Sequence, residues 1–278
     1  MDHARVDVES SHPPGFGDFG AVCRTSLGGA RLFTGALAQH DSARRRDGVD
    51  RESRRSAEAL CAGYPAKHTI FRQSWISGER TTPIVIDEIG YVHLVGVRLR
   101  AGGAWPFLGI PLREFTDQVM ELEKIMGREI EDLRDGLCEA RDDDSRFDLL
   151  ESWLVRRARS RTQPTRSVSY ALWLIHGGLD AVRIGRIAET IGISHKHLLR
   201  EFDRCVGLTP KLFARLCAFQ RVIRSVGQKA EVDWAGTAAT CGYHDQAHLI
   251  HEFRAFSGLT PAAYLMKRGP FLNYLEVE

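Results

Sequence analysis

The sequence lacks the short motifs that mark most enzyme classes. It has no glycine-rich phosphate loop, no HExxH and no GxSxG, which are the patterns of nucleotide-binding enzymes, zinc peptidases and serine hydrolases. Six cysteines are scattered along the chain without a CxxC pair, so we expect core thiols rather than metal ligands or disulfides. The sequence therefore predicts no catalytic residue, no cofactor and no metal site.

Long apolar runs and a strong charge excess are missing as well. No stretch of 18 apolar residues occurs and the N-terminus has no charged-then-apolar leader, which predicts a cytoplasmic protein with no membrane partner. The formal net charge is only +2, although the segment from Arg166 onward holds 14 Lys and Arg against 10 Asp and Glu. This modest excess predicts weak non-specific attraction to phosphate.

What the sequence does contain is an internal repeat. The tetrapeptide Gly-Leu-Thr-Pro occurs at 207–210 and again at 258–261, and the residues before each copy are similar too. In each copy, residues at i, i+3, i+4 and i+7 predict a short helix: Ile184, Ile187, Ala188 and Ile191 in the first, and Trp234, Thr237, Ala238 and Cys241 in the second. The repeat predicts one supersecondary unit used twice.

A second helix is predicted in each unit. Gly192 and Gly242 can adopt positive φ where the first helix ends, and Ser194 and Asp245 can cap the helix that follows. The inward-facing residues of these second helices are Leu198, Phe202 and Cys205 in one unit, and Leu249 and Phe253 in the other. This arrangement is typical of helix-turn-helix units, whose second helix lies in the major groove of DNA. The alternative is a helical repeat that binds protein.

The outward faces of the second helices carry candidate base-reading residues. Arg can hold the O6 and N7 atoms of guanine, Gln suits adenine, and Ala or Ile can contact a thymine methyl group. The candidates are Lys196, Leu199 and Arg200 in the first unit, where Asp203 also faces outward, and Gln246, Ala247, Ile250 and His251 in the second.

A linking helix is predicted between the units, from Lys211 to about Gly227. Its inward residues are Leu212, Leu216, Phe219 and Val222, and its mostly outward residues are Lys211, Arg215, Arg221 and Arg224. Arg215 is included as a candidate for DNA contact, with an ordinary solvated face as the alternative. A helix of this length spans roughly 25 Å. With the two flanking helices added, that length is compatible with reading helices about 34 Å apart, one turn of the duplex.

Several stretches of this half match the pattern of a known family: 187–194, 198–202, 207–211, 242–249 and 253–254. Through them, residues 165–265 resemble the DNA-binding domain of AraC/XylS-type transcription regulators. The resemblance implies that paired helix-turn-helix units sit on a long helix and that base contacts come from the second helix of each unit. It also implies double-stranded DNA as the partner, with RNA polymerase as a further one. In the family an Arg usually stands where this chain has His251.

One enzymatic alternative shares this kind of DNA-binding domain, namely a repair protein with an alkyl-acceptor cysteine. That chemistry needs an activated thiol in a metal cluster, which the scattered cysteines do not supply. Metal binding by His244 and His248, four residues apart, is not predicted either, because His244 precedes the capping residue and no third ligand follows.

The segment 67–110 is β-rich. Pro83–Asp87 and Tyr91–Leu99 predict strands joined by a turn at 88–90. The run Gly96–Gly109 resembles the sensor-like N-terminal domain of one uncharacterised subset of AraC-type regulators, so a small-molecule effector is expected. Arg98, Arg100 and Trp105 are candidates for lining its pocket, although structural roles are the favoured interpretation.

Three apolar stripes predict helices after the β-rich segment. They consist of Leu112, Phe115, Val119, Leu122 and Met126, then Ile130, Leu133 and Leu137, then Phe147, Leu150 and Leu154, with a break at 142–144. Such a segment can mediate dimerisation in AraC-type regulators. A domain core and a homodimer interface are therefore both open interpretations.

Together these observations predict an α+β protein. A β-rich N-terminal domain with a helical connector precedes an all-α C-terminal domain of two helix-turn-helix units joined by a long helix. The predicted boundaries are 67–156 for the sensor-like domain, 157–166 for an exposed linker and 167–278 for the DNA-binding domain. Residues 1–66 have arginine clusters and no clear periodicity, so we interpret them as a poorly defined extension or a mis-assigned start. With a defective sensor the protein would bind DNA constitutively.

His251 gives the first testable prediction. Near neutral pH a histidine is largely uncharged, whereas arginine always carries a positive charge, so His251→Arg should tighten DNA binding and steepen its salt dependence. Filter-binding titrations of both proteins at several salt concentrations measure the two quantities. Equal affinity and an equal salt slope would show that His251 does not approach the DNA.

Overall fold

The computed structural model of the protein describes residues 6–9, 22–25, 32–39, 69, 71, 73–83, 93–159, 164–177, 184–227, 229 and 231–267. The strands are β1 (Val6–Glu9), β2 (Val22–Thr25), β3 (Leu32–Gln39), β4 (Trp75–Ser77), β5 (His93–Leu99) and β6 (Val119–Glu121). The helices of the N-terminal half are α1 (Trp105–Leu108), α2 (Glu123–Met126), α3 (Arg128–Glu139) and α4 (Asp143–Arg159), with a 3₁₀ helix at Leu112–Phe115. Those of the C-terminal half are α5 (Arg166–His176), α6 (Ile184–Ile191), α7 (His195–Val206), α8 (Pro210–Val226), α9 (Trp234–Cys241), α10 (Gln246–Ser257) and α11 (Pro261–Lys267). The α+β class predicted from the sequence is confirmed.

The strands form one mixed sheet in the order β1-β2-β5-β3-β4-β6. Only the β2–β5 pair is parallel among these neighbours, and the β3–β5 pair has an irregular register between Thr34 and Leu37. The sequence did not predict strands β1 to β3. The longest of them, β3, contains two alanines, a glycine and only one β-branched residue, Thr34, so its local strand signal is weak and its pairing with β5 defines it. Of the predicted strand Pro83–Asp87, all but Pro83 lies outside the described residues.

The N-terminal core lies between β5 and helices α3 and α4. Alternate residues of β5 are buried, as one face of a strand should be, namely Val95, Val97 and Leu99. The second and third apolar stripes are helical as predicted, and all six of their residues are buried in this core: Ile130, Leu133, Leu137, Phe147, Leu150 and Leu154. The stripes therefore serve a domain core, the first of the two interpretations.

The prediction that the first apolar stripe forms a single helix is wrong. Leu112 and Phe115 lie in the 3₁₀ helix, Val119 in β6 and Met126 in α2, and Leu122 is the N-cap of α2. The single helix is broken because Asp117 turns the chain with a φ of 56°. The Asp117 carboxylate accepts hydrogen bonds from the backbone N–H of Thr81 at 2.7 Å and of Thr82 at 3.2 Å. Burial raises the pKa of Asp117, but these bonds and the nearby Arg80 outweigh it and hold the pKa below its usual value. Contacts distant in sequence thus interrupt a locally helical pattern.

The predicted exposed linker at 157–166 also needs correction. Helix α4 continues to Arg159, and Thr165 already caps α5 by accepting a hydrogen bond from the N–H of Val168. The Arg157 side chain is only 11% exposed. It donates to the carbonyl oxygen of Phe107 at 2.6 Å and pairs with Glu129. The composition of this segment indicated an exposed linker because it does not reveal contacts with residues distant in sequence, such as those of Arg157 with Phe107 and Glu129.

Helices α5 to α11 share a second core. Its residues include Leu198 and Phe202 of α7, Phe213 and Phe219 of α8, and Leu249 and Phe253 of α10. The thiols of Cys205 and Cys241 are buried in it, as expected for core cysteines, and burial raises the pKa of both. Within the described part of the chain, no helix has both the length and the apolarity needed to cross a membrane.

The two halves meet where the 3₁₀ helix packs against α7. The hydroxyl of Thr116 donates a hydrogen bond to the carbonyl oxygen of Gly207 at 2.5 Å, and Arg113 forms an ion pair with Asp203 at 3.2 Å. Asp203 therefore does not simply face outward as predicted, because it is half-buried against the N-terminal half. Gly207 has a φ of 89°, and a Cβ there would lie 2.7 Å from the carbonyl oxygen of Leu112. The first Gly-Leu-Thr-Pro copy thus requires glycine for a close approach as well as for its conformation.

Gly207 and Gly258 form a matched pair for testing this packing. Both take positive φ, but nothing except Pro83, at 3.9 Å, approaches a Cβ at Gly258 within 4 Å among the described atoms. We expect Gly258→Ala to lower the free energy of unfolding by about 1 kcal/mol for the left-handed backbone alone. Gly207→Ala should cost about 2–4 kcal/mol because a backbone carbonyl must also move. Urea unfolding followed by circular dichroism measures both, and equal losses would contradict the contact between the halves.

Candidate nucleic-acid interface

The first helix-turn-helix unit consists of α6 and α7, as the sequence predicted. Gly192 ends α6 with a φ of 74°, and the hydroxyl of Ser194 accepts a hydrogen bond from the N–H of His197 at the start of α7. Leu198 and Phe202 are completely buried, and Cys205 lies on the same face. This burial fixes which face of α7 points to solvent.

The outward face of α7 carries the predicted reading residues. Lys196 and Arg200 are exposed, and Leu199 is half-buried beside them. The Nη2 atom of Arg200 lies 3.1 Å from the Nδ1 atom of His197, one turn earlier. The neutral cap Ser194, the ammonium group of Lys196 and the guanidinium of Arg200 therefore all belong to the first two turns of α7. The free N–H groups at this end of a helix favour anions.

The second unit, α9 and α10, has the same construction. Asp233 caps α9, Gly242 ends it with a φ of 86°, and Asp245 caps α10 by accepting a hydrogen bond from the N–H of His248 at 2.7 Å. Leu249 and Phe253 are completely buried. The outward face presents the predicted residues Gln246, Ala247 and His251, which are exposed, and Ile250, which is half-buried.

The caps of the two reading helices differ in charge. The backbone hydrogen bond from His248 and the side-chain hydrogen bond with His244 lower the pKa of Asp245, so this carboxylate stays ionised at neutral pH. Ser194, at the equivalent place in the first unit, is neutral. A fixed negative charge at the start of α10 disfavours a phosphate there, whereas α7 has no such obstacle.

Arg215 forms an ion pair with another residue of the same chain, Glu252. Its Nε and Nη2 atoms donate to the two carboxylate oxygens of Glu252 on α10, at 2.6 Å and 3.0 Å. These hydrogen bonds raise the pKa of Arg215. Glu252 is only 7% exposed, so it needs this partner. The pair joins the linking helix α8 to the second reading helix, and a contact of Arg215 with DNA stays a prediction.

The first unit has a corresponding buried acid, Glu201, that the helical periodicity did not predict. Glu201 is 6% exposed and pairs with Arg204 at 2.6 Å, and the Arg204 guanidinium lies 4.8 Å from the ring centre of Trp105 in the N-terminal half. Glu201 and Glu252 both stand three residues after the first buried leucine of their helix. Alignment of the two repeats could therefore have singled them out, but not their partners.

His244 and His248 contact each other and the cap of α10. The Nδ1 atom of His248 lies 3.4 Å from the backbone N of His244, while the Nδ1 atom of His244 contacts Asp245. Among the residues that the structure describes, no group of three or more His, Cys, Asp or Glu side chains could hold a metal ion.

The comparison with protein families agrees with the assignment of two helix-turn-helix units. Residues 187–267, which include both reading helices, match a helix-turn-helix domain. The C-terminal part of the chain is a helix-turn-helix domain of the AraC type. Residues 50–121 match a domain of unknown function, DUF6597. AraC-type domains bind DNA in transcription regulators, and no curated protein matches the chain.

Among solved structures, the chain is similar to ToxT from Vibrio cholerae. One crystal structure, in a P21 form, shares 12% identity over 50% of this chain and 55% of ToxT, with a TM-score of 0.33. A second shares 12% identity over 53% and 59% with a TM-score of 0.34, and an apo variant shares 13% over 55% and 59% with a TM-score of 0.33. The matched region thus spans little more than half the length of ToxT.

A double-mutant cycle in the AraC-type domain can test whether Arg215 acts through Glu252 or through a contact with a DNA phosphate. If Arg215 acts through Glu252, then Arg215→Gln and Glu252→Gln should each lower the free energy of unfolding by about 1–2 kcal/mol. The double variant should lose less than the sum, and the salt slope of DNA binding should stay unchanged. Urea unfolding and binding titrations at several salt concentrations give these values. A phosphate contact would instead lower the slope by about one for Arg215→Gln, whichever residue occupies position 252.

Proposed function

We propose that the protein is a transcription regulator that binds double-stranded DNA sequence-specifically and reads two adjacent major-groove segments. The observation that carries this proposal is that two units of the same construction each bury one face of their second helix and expose the opposite face. Helix α8, 17 residues long, connects them and spans roughly 25 Å. This length suits two reading helices about one duplex turn apart.

The residue types on the two outward faces support different base preferences. In the first unit, Arg200 with Lys196 suits guanine, and the half-buried Leu199 suits an apolar base edge. In the second unit, Gln246 suits adenine, and Ala247 with Ile250 suits a thymine methyl group. His251 adds a donor or an acceptor according to its tautomer. We therefore expect one half of the binding site to be G-containing and the other to be A/T-rich.

The N-terminal half, with its mixed sheet and helices α1 to α4, is proposed to be the sensor-like domain. Strands β1 to β3 of that sheet lie before the predicted boundary at residue 67, and the linker is shorter than predicted. An effector, a homodimer and a contact with RNA polymerase are further proposals. A regulator with a defective sensor, which binds DNA constitutively, is the alternative within the same class.

One observation favours a protein partner as a second candidate function. On α5, Tyr170 and Trp173 stack at 5.9 Å between ring centres, and Trp173 is 68% exposed. Exposed aromatic side chains are enriched at protein interfaces. A helical module that binds protein through this face would not need the reading residues of α7 and α10.

Selection of random duplexes by the full chain tests the proposed function. We expect an enriched motif with two half-sites whose centres lie about 10–10.5 base pairs apart. Arg200→Ala should weaken binding to the selected site by about 1–3 kcal/mol and relax the preference at one guanine in one half-site. Its control is Arg128→Ala on α3, since the Arg128 side chain is 89% exposed in the N-terminal half.

The result separates the candidate functions. If no duplex sequence is enriched and the binding of DNA does not change with salt concentration, sequence-specific DNA binding is rejected and the protein-binding alternative is left. A single enriched half-site would show that only one unit reads DNA.

A further inference from the structure

Arg200, the candidate guanine reader of α7, has a single polar partner among the side chains that the structure describes. Its Nη2 atom lies 3.1 Å from the Nδ1 atom of His197, which stands three residues earlier on the same helix. Residues three apart are neighbours on a helix surface. Because arginine has only donors, the Nδ1 atom of His197 must accept this hydrogen bond. Acceptance requires the neutral imidazole with its proton on Nε2.

A neutral partner sets Arg200 apart from two other arginines of the domain. Arg204 and Arg215 each pair with a buried carboxylate, which neutralises the guanidinium and competes with any acceptor on a base. An imidazole takes up only one N–H group and leaves the positive charge in place, so further donors of Arg200 stay free for the O6 and N7 atoms of guanine. A guanidinium that is ordered in advance also loses less side-chain freedom when it binds.

The imidazole of His197 is itself held in place. The ring is half-buried, and the backbone N–H of His197 donates to the hydroxyl of Ser194 at 3.2 Å, which fixes the first turn of α7. The elements packed against α7 carry these titratable or charged side chains: Arg113 and Glu114 on the 3₁₀ helix, Arg166, Tyr170 and His176 on α5, Arg186 and Glu189 on α6, and Lys211, Arg215, Cys217, Arg221 and Arg224 on α8. Within the described part of the chain, the ring of His197 forms a hydrogen bond or ion pair with none of them, and Arg200 is its one charged partner.

The second unit has the same histidine without the arginine. His248 occupies the equivalent position, since its backbone N–H also donates to the cap of its helix, here Asp245. Three residues after it stands His251 instead of an arginine, and the Nδ1 atom of His248 lies 3.4 Å from the backbone N of His244. The second unit therefore provides an internal control for the pair in the first.

We propose that His197 is a positioning residue for Arg200, and that the preference of the first half-site for guanine falls as the pH falls. The neutral imidazole orients the guanidinium for guanine. Protonation releases the guanidinium, because an imidazolium has no acceptor and places a second positive charge beside it. Imidazole changes its charge between about pH 8 and about pH 5. The effect on guanine rests on the proposed function, whereas the contact between the two side chains does not.

Overall affinity for DNA should move in the opposite direction. His195, His244, His248 and His251 are also exposed near the starts of the reading helices, and every histidine that becomes charged strengthens attraction to phosphate. The quantity to measure is therefore a ratio of two affinities. One duplex is the selected site, and the other has adenine in place of the guanine whose preference Arg200→Ala relaxes. Charge effects common to both duplexes cancel in this ratio.

The ratio is measured at constant ionic strength with the full-length protein. For the wild type we expect it to fall about 2- to 10-fold between about pH 8 and about pH 5.5, the effect of ordering one long side chain. His197→Asn supplies a neutral acceptor, Oδ1, at the same branch of the side chain, so it should keep the high ratio at both pH values. His197→Ala should show the low ratio at both. His248→Asn, the matched control, should keep the wild-type profile whatever it does to overall affinity.

A second measurement needs no DNA. Carbon-detected NMR of the full-length protein follows the order of the Arg200 guanidinium and the titration of the His197 ring. We expect the order of Arg200 to fall along the same titration curve as His197 and to stay constant in His197→Asn. Arg128 on α3, whose side chain is 89% exposed, is the control and should not change over this pH range.

The outcomes are distinct. If the order of Arg200 does not follow the titration of His197 in the wild-type protein, the contact is overturned, and this result depends on no variant. If the order follows but the guanine ratio is the same at both pH values, or if His248→Asn abolishes its change, the role in specificity is overturned. A protein that prefers no duplex sequence would reject the proposed function and the guanine effect with it, while the NMR titration still decides the contact.

Discussion

The C-terminal domain depends on aromatic packing between the linking helix and the two reading helices. Phe213 on α8 contacts Phe202 of α7 with ring centres 5.8 Å apart, and Phe219 contacts Phe253 of α10 at 5.1 Å. The two α8 residues are six positions apart, so they point in directions that differ by about 120° and are separated by roughly 9 Å along the axis. One rigid helix therefore fixes both units, and each exposed face follows from the phenylalanine on its opposite side.

The two units share this packing but differ in what else holds them. Glu252 ties the second reading helix to α8 through Arg215, entirely within the domain. Glu201 pairs with Arg204 three residues later on the same helix, α7, and the Arg204 guanidinium lies over the ring of Trp105 in the N-terminal half. The same buried carboxylate position is thus used once for rigidity inside the domain and once at the contact between the halves.

The sequence predicted the parts of the fold that local patterns encode. The helices of both units, the caps Ser194 and Asp245 and the turn at Gly192 follow from spacing and capping chemistry within a few residues. The predictions are wrong where contacts with residues distant in sequence determine the local structure. The stripe 112–126 is broken because Asp117 binds Thr81 and Thr82, and Arg157 is buried because Phe107 and Glu129 accept its hydrogen bonds.

The same limit applies to the candidate site. An outward position on a helix wheel is predictable, and Lys196, Arg200, Gln246 and His251 are exposed as expected. Whether a charged side chain at such a position faces DNA or a protein partner depends on a second helix that periodicity does not describe. Arg215 and Asp203 were both expected to face outward, yet each has an ion-pair partner from another element.

These ion pairs also change how the positive charge of the domain should be interpreted. Arg204 and Arg215 are paired with buried carboxylates, so they add to the count of cations but contribute little potential at the reading faces. The positive charge near the proposed DNA surface comes instead from exposed side chains such as Lys196, Arg200, Lys211 and Arg254. Of these, Lys196 and Arg200 belong to the first reading helix, whose cap is neutral, whereas the second begins with the ionised Asp245. We therefore expect the first unit to supply more of the electrostatic attraction to a DNA backbone, and the second unit, whose reading helix carries only Arg254 among these four cations, to depend more on contacts with the bases.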